Sequence, residues 1–202
     1  MALLLIRHGE TEFNAGRVVQ FPDTVLGKQG LDQAERLGRS LTSRRIAQIV
    51  TSDYARARMT AARIHHHTGA RLIESAALRE RNFGDIRGRP YAEFGTLDIL
   101  AADYDPPGGE TWPVFHARVD RAWAELRAHA SDLDGDLVVV THGLVLRSLL
   151  TRLVDCNGHV IAPDLTVANT SVTEVDPNPP WRLIELANTA HLDELPSAGA
   201  PV

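Results

Sequence analysis

Leu3-Leu4-Leu5-Ile6-Arg7-His8-Gly9-Glu10-Thr11 opens the chain, and Leu137-Val138-Val139-Val140-Thr141-His142-Gly143 repeats its form far along the sequence. Each segment is an unbroken apolar run, the pattern of a strand buried on both faces. Each breaks off at a His-Gly pair, so both histidines sit at the carboxyl ends of strands. In an open α/β sheet, ligands bind outside those ends, where the strand order reverses. If the two strands are neighbours, about 4.8 Å apart, the two imidazoles face one small space. The glycines leave room for a ligand to approach the backbone. A helical pattern begins after Gly143, so free N–H groups and a positive helix end address the same space. A single His-Gly at a strand end is ordinarily just a loop. Two at matching positions, one preceded by Arg7, point to an anion site, because the group is cation-rich and has no aspartate or cysteine cluster to hold a metal.

Further strands are expected at residues 46–50, 71–74, 171–175 and 181–186. The Asp-Pro-Asn-Pro-Pro stretch at 176–180 marks a hairpin-like return at the sheet edge. Between the strands run helical periodicities: Leu31, Ala34, Leu37 and Leu41; then Ala57, Ala61 and Ile64 in a helix over 53–68 that Ser52 or Asp53 could cap; then Phe115, Val119, Ala122, Trp123, Leu126 and Ala130; then Leu146, Leu149, Leu150 and Leu153. Strands alternating with helices predict an α/β fold, a three-layer α/β/α sandwich with a mainly parallel central sheet and one antiparallel edge strand. One domain over 1–194 is expected. Residues 87–111, rich in glycine and proline, read as an excursion that shapes a pocket, with one helix around 91–104. Residues 195–202 read as a tail.

The length of 202 residues suits one domain. With 44% apolar and 23% charged residues the composition is that of a globular protein and excludes a wholly disordered chain. Lys+Arg is 21 and Asp+Glu is 26, a formal net charge of −5, which argues against a general nucleic-acid binder. Lys28 is the only lysine, a bias that leaves only individually placed arginines informative. Cys156 stands alone, so neither a disulfide framework nor a multi-cysteine zinc site can form. No apolar run approaches the roughly 20 residues of a membrane span, and the run at 2–6 is too short for a signal-peptide core. The expected protein is cytoplasmic, with no membrane partner. His65-His66-His67 cannot chelate one ion from consecutive helical positions and suits the end of a helix before Gly69.

Arg7-His8-Gly9-Glu10-Thr11 with Asn14 resembles the signature of the histidine phosphatase (phosphoglycerate mutase-like) superfamily, branch 1. The resemblance continues in order through Ser52-Asp53-Tyr54-Ala55-Arg56-Ala57-Arg58-Met59-Thr60-Ala61, Leu78-Arg79-Glu80-Arg81-Asn82-Phe83-Gly84, Pro107-Gly108-Gly109-Glu110-Thr111 and His142-Gly143. It covers roughly residues 1–175, and five ordered segments make it specific. It implies that His8 is a nucleophile forming a phosphohistidine, with its other ring nitrogen held by a backbone carbonyl. Arg7 and Arg56 would clamp the phosphoryl oxygens; the family register selects Arg56 over Arg58. A cationic His142 would stabilise the transition state. Glu80 would protonate the leaving oxygen and then activate water. Asn14 and the Gly143 N–H would be further phosphate donors, and Thr11 would line the pocket floor or mouth. For Glu110 the structural reading comes first: a carboxylate at the start of a helix.

The resemblance implies a histidine acid phosphatase-type phosphomonoesterase acting on a small phosphorylated metabolite, with no metal and no other cofactor. The loop at 18–28 departs from the family pattern, so the substrate is not carried over. Only 29 residues separate Glu80 from Glu110, little room for the insertion of longer mutase relatives. That favours hydrolysis over a phosphoglycerate mutase-type transfer. A non-catalytic phospho-ligand binder is the third reading. The sequence leaves the oligomeric state open, a dimer included, and leaves open whether Glu10, Glu12 or Arg58 contacts substrate.

Overall fold

The computed structural model describes residues 1–158, 160–162 and 165–193. In chain order the regular elements are β1 (Leu3–Arg7), α1 (Glu12–Ala15), α2 (Lys28–Ser40), β2 (Ile46–Thr51), α3 (Ala55–Thr68), β3 (Arg71–Glu74), α4 (Trp112–Ala130), β4 (Asp136–Thr141), α5 (Gly143–Arg152), β5 (Val172–Val175) and β6 (Leu183–Asn188). The sheet order is β3-β2-β4-β1-β5-β6. The two founding runs are neighbours, β1 parallel to β4, in register from Leu3 with Leu137 to Arg7 with Thr141. β5 is the antiparallel strand, the inner arm of the edge hairpin, and β6 completes that hairpin outside it.

Alternate strand residues point to opposite faces, and each face is covered by helices. Leu4, Ile6, Val138 and Val140 pack with Leu37 of α2 and Ala57, Ala61 and Ile64 of α3. Leu3, Leu5, Leu137 and Val139 pack with Phe115, Val119, Trp123 and Leu126 of α4 and Leu146 and Leu149 of α5. Full burial of each Leu, Ile, Val or Phe side chain among them contributes about 1.5–3 kcal/mol. This is the three-layer sandwich that the alternating pattern predicts. Among the described residues no helix is long and apolar enough to cross a membrane.

Two local expectations are corrected, and one helix was not foreseen. α3 is capped by neither candidate: its N-cap is Tyr54, with no side-chain cap bond. Asp53 is instead drawn outward by Arg79, and Ser52 is engaged by His142. The helix expected around 91–104 is only a 3-10 turn over Tyr91–Phe94. Gly95 ends it at φ +56, a conformation that L side chains rarely adopt. The excursion folds over a third apolar cluster of Val19, Phe83, Ile86 and Ile99. α1 was not foreseen; Thr11 and Asn14 cap it reciprocally as a capping box. His65 and His67 end α3 with separate partners, the Ala70 carbonyl and Glu35. The expected tail at 195–202 lies outside the described residues.

Candidate active site

His8 follows β1 directly, and its backbone N–H donates to Thr141 O of β4 at 3.0 Å. The turn behind it is held by both helices of one face: Gly9 N–H donates to Thr60 Oγ1 of α3 at 3.0 Å, and Glu10 N–H to Gln33 Oε1 of α2 at 2.9 Å. A Cβ on Gly9 would stand 2.6 Å from Gly30 O, so the close approach of α2 requires glycine there. His8 Nδ1 lies 2.7 Å from Gly9 O. A carbonyl only accepts, so Nδ1 carries the proton and Nε2 presents a lone pair. Arg56 Nε–H donates to that Nε2 at 3.2 Å. Burial, then the charges of Arg56 and Arg7, hold His8 well below the ordinary histidine pKa. The ring is therefore neutral at physiological pH.

The register of β1 with β4 brings His142 beside it, with ring centroids 5.1 Å apart. His142 is the N-cap of α5 and fully buried. Its Nε2 is 2.8 Å from Ser52 Oγ, while Nδ1 is buried without a hydrogen-bond partner among the described residues. Burial first, then Arg56, His8 and Arg7, push its pKa well below the ordinary value. The cationic His142 expected from sequence is one bonded to phosphate; burial and the surrounding positive charge by themselves favour the neutral ring.

Arg56, in the first turn of α3, is 2% exposed and anchors through Nη1 to Phe21 O at 2.9 Å. Arg58 lies on the outer face, 3.9 Å from Glu74, so of the two only Arg56 reaches His8. Burial pushes Arg56 down to about 10, and it lowers Arg7 as well. Arg7 donates to Val167 O, and its Nε is buried without a partner among the described residues.

Glu80 lies on an extended stretch after β3. Its carboxylate accepts from Leu144 N–H, in the first turn of α5, at 3.1 Å and from Arg81 N–H at 3.0 Å. Burial raises its pKa above the usual carboxylate range, against the pull of those two N–H groups and of Arg56 and Arg7. Its neighbours diverge: Arg79 pairs with Asp53 at the surface, and Arg81 lies buried 4.0 Å from the Trp112 ring centroid.

Arg7, His8, Asn14, Arg56, Glu80 and Gly143 line one cavity of about 340 Å³. Two expected contacts sit off this wall. Thr11 is buried, its hydroxyl used by the α1 cap and by Gln20; His142 stands behind, against His8 and Ser52. Glu110 bonds Arg118 and Asn82 N–H, in keeping with a structural role. The cavity wall also carries Arg17, Tyr54, Arg87, Tyr91 and Arg147, which the sequence reading did not single out. Arg147 could have been found: it lies four residues after Gly143, on the same helix face. Tyr54 could not, since its position depends on the meeting of β2 with β4. Among the described residues no three His, Cys, Asp or Glu side chains are grouped as metal ligands.

The model of the histidine phosphatase superfamily (branch 1) matches residues 3–189. The chain belongs to this superfamily. This histidine phosphatase superfamily member is 37% identical over 127 residues to the fructose-2,6-bisphosphatase TIGAR of Xenopus tropicalis, covering 58% of this chain and 46% of that one. The chain thus spans about half the length of the Xenopus relatives it matches. It is 34% identical over 208 residues to a broad-specificity phosphatase of Saccharomyces cerevisiae, covering 95% of this chain and 87% of that one. Among solved structures it resembles the mycobacterial glucosyl-3-phosphoglycerate phosphatase in complex with VO3. The TM-score is 0.74 at 30% identity, with 87% of this chain and 90% of that one covered.

Proposed function

We propose that the protein is a phosphomonoesterase of small phosphorylated metabolites, working through a phosphohistidine at His8; the histidine acid phosphatase type expected from sequence is the name of a different family from the one whose model matches. The observation that carries this reading is the placement of the His8 ring, its Nδ1 2.7 Å from the Gly9 carbonyl and its Nε2 at the cavity wall beside Arg56. In the first step Nε2 attacks phosphorus and the ester P–O bond breaks. Glu80 gives its proton to the departing oxygen, and the alcohol leaves. In the second step the Glu80 carboxylate takes a proton from water. The water oxygen attacks phosphorus, the N–P bond breaks, and inorganic phosphate leaves. Arg7 and Arg56 balance the charge on the transferring group. An arriving phosphate dianion offsets their field at His142 and raises its proton affinity, so the ring behind His8 can add positive charge to the site. Asn14 and Gly143, at the same wall, are the further phosphate contacts of this reading.

Two features bear on substrate and outcome. Arg17, Arg87 and Arg147 face the cavity, and among the described residues none has a carboxylate within ion-pair distance. That excess of positive charge supports metabolites with a second anionic group. The excursion over the site is short and mostly irregular, which supports water as the acceptor rather than a second metabolite hydroxyl. The test is a panel of phosphorylated metabolites with free phosphate measured, run with and without chelator and alongside His8→Ala. Phosphate release that survives chelator and vanishes in His8→Ala agrees with the reading. Phosphate moving between hydroxyls without release would make the protein a transferase, and tight binding without turnover would make it a binder.

A further inference from the structure

Residues 79–83, which carry Glu80, belong to no helix or strand. No ladder of backbone bonds fixes them. Two guanidiniums take that part instead: Arg81's own, which donates to Glu110 O at 2.9 Å and to Tyr104 O at 2.6 Å, and that of Arg118 on α4. Arg118 Nη1 donates to Ala77 O at 3.0 Å and to Arg79 O at 2.8 Å, and Nη2 donates to Glu80 O at 3.4 Å. Its remaining N–H groups meet Glu110, Nε to Oε1 at 2.8 Å and Nη2 to Oε2 at 2.6 Å. All five donors of the fork are used. Glu110 in turn accepts from Asn82 N–H at 2.8 Å through Oε2, and its backbone N–H donates to Asn82 O at 2.8 Å. The stretch is thus gripped on both sides of Glu80. The side chains of Arg118 and Glu110 are only 15% and 17% exposed. Neither lines the cavity that holds His8. α4 is already held to the sheet by Phe115, Val119 and Trp123, so the pair is not needed to dock the helix.

We propose that Arg118 and Glu110 are positioning residues that act through Glu80, fixing its carboxyl where it can pass a proton to the leaving oxygen. This rests on Glu80 being the acid of the proposed function. Planar, bidentate geometry is what the task needs: an ammonium cannot span a carboxylate and three carbonyls together. A displacement of about 1 Å at a reacting group can cost on the order of 10²-fold in rate.

Leaving groups separate positioning from general structural support. An aryl ester such as p-nitrophenyl phosphate leaves without a proton, whereas an alkyl ester needs one. The experiment measures kcat/KM for p-nitrophenyl phosphate and for an alkyl monoester hydrolysed by the wild type. The variants are Arg118→Lys, Glu110→Gln, Glu80→Gln and the double variant Arg118→Lys/Glu80→Gln. The proposal expects the aryl-to-alkyl ratio to rise at least about tenfold in Arg118→Lys and in Glu110→Gln. It expects Arg118→Lys to add almost nothing to that ratio once Glu80 is Gln, as coupled residues do. Should the lysine variant not fold, Glu110→Gln, which keeps the side chain's shape, decides by the same ratio. A ratio unchanged by both clamp variants, or a full effect of Arg118→Lys in the Glu80→Gln background, overturns the proposal and leaves Glu80 as the acid. A ratio unchanged by Glu80→Gln itself removes Glu80 as the acid and overturns the positioning claim with it.

Discussion

Arg56 Nε lies 3.2 Å from His8 Nε2, and this one contact joins the first turn of α3 to the end of β1. The same guanidinium is anchored by Phe21 O, so its direction is set before any phosphate arrives. Arg56→Lys keeps the charge but loses the fork. We expect kcat/KM to fall by about 10²-fold or more. Arg58→Lys, at the exposed neighbouring site, should stay within about twofold. Steady-state kinetics of the two variants check this, and equal losses would contradict it.

The pH profile follows from two opposite shifts. His8 must be neutral to attack, and its lowered pKa moves the acid limb of kcat/KM well below 6.5. Glu80 must be protonated to act on an alkyl ester, and its raised pKa moves the basic limb above 4.5. Activity on alkyl esters should therefore be bell-shaped, after allowance for the ester's own ionisation near about pH 6. In Glu80→Gln the basic limb should disappear. An acid limb set by the enzyme at or above 6.5 would contradict the neutral-imidazole account.

The same shift has a consequence for stability. A carboxyl whose pKa is raised on folding binds its proton more tightly in the native state, so its contribution is fully present below the unfolded pKa. Stability is lost as pH rises from about 4.5 through the folded value. Glu80→Gln removes this titration, so the unfolding temperature of the variant relative to the wild type should rise between pH 4 and neutral pH. Thermal unfolding of both proteins at the two pH values measures it. A difference that stays constant, or moves the other way, would contradict the raised carboxyl pKa.

An ionic cluster lies at the other end of the sheet from His8. Arg44 donates to Asp136 at 2.6 Å and to Glu174 at 2.7 and 3.0 Å, and Asp136 also accepts from Ala2 N–H at 2.7 Å. Asp136 is largely buried, so Arg44→Met leaves it only the Met1 ammonium at 3.8 Å and leaves Glu174 without its cation. We expect a loss of about 2–4 kcal/mol by denaturant titration, with kcat/KM within about twofold of wild type. A comparable loss of activity would tie this cluster to the site.

The sheet and its central pair were legible because β1 and β4 are buried on both faces and read as continuous apolar runs ending in His-Gly. Arg56 is separable from Arg58 by register, and the structure buries Arg56 beside His8 while Arg58 stays exposed. Legibility failed where tertiary contacts override local pattern. Ser52 looks like a helix cap but is taken by His142, a partner 90 residues away. Thr11 looks like a ligand contact but closes its own capping box. The charge of His142 depends on the two arginines and the full burial around it, which no local pattern shows. Arg118 carries no local signal at all: its five bonds exist only because α4 crosses the stretch around Glu80.

The most direct measurement is rapid base quench of the wild type during turnover of a phosphate-labelled ester, with the labelled residue mapped by mass spectrometry. The account predicts one phosphoryl group on the ring of His8, stable to base and labile to acid, and none in His8→Ala. Label on any other residue, or turnover with no phosphoenzyme at quench times shorter than one catalytic cycle in a variant slowed at the second step, would contradict it.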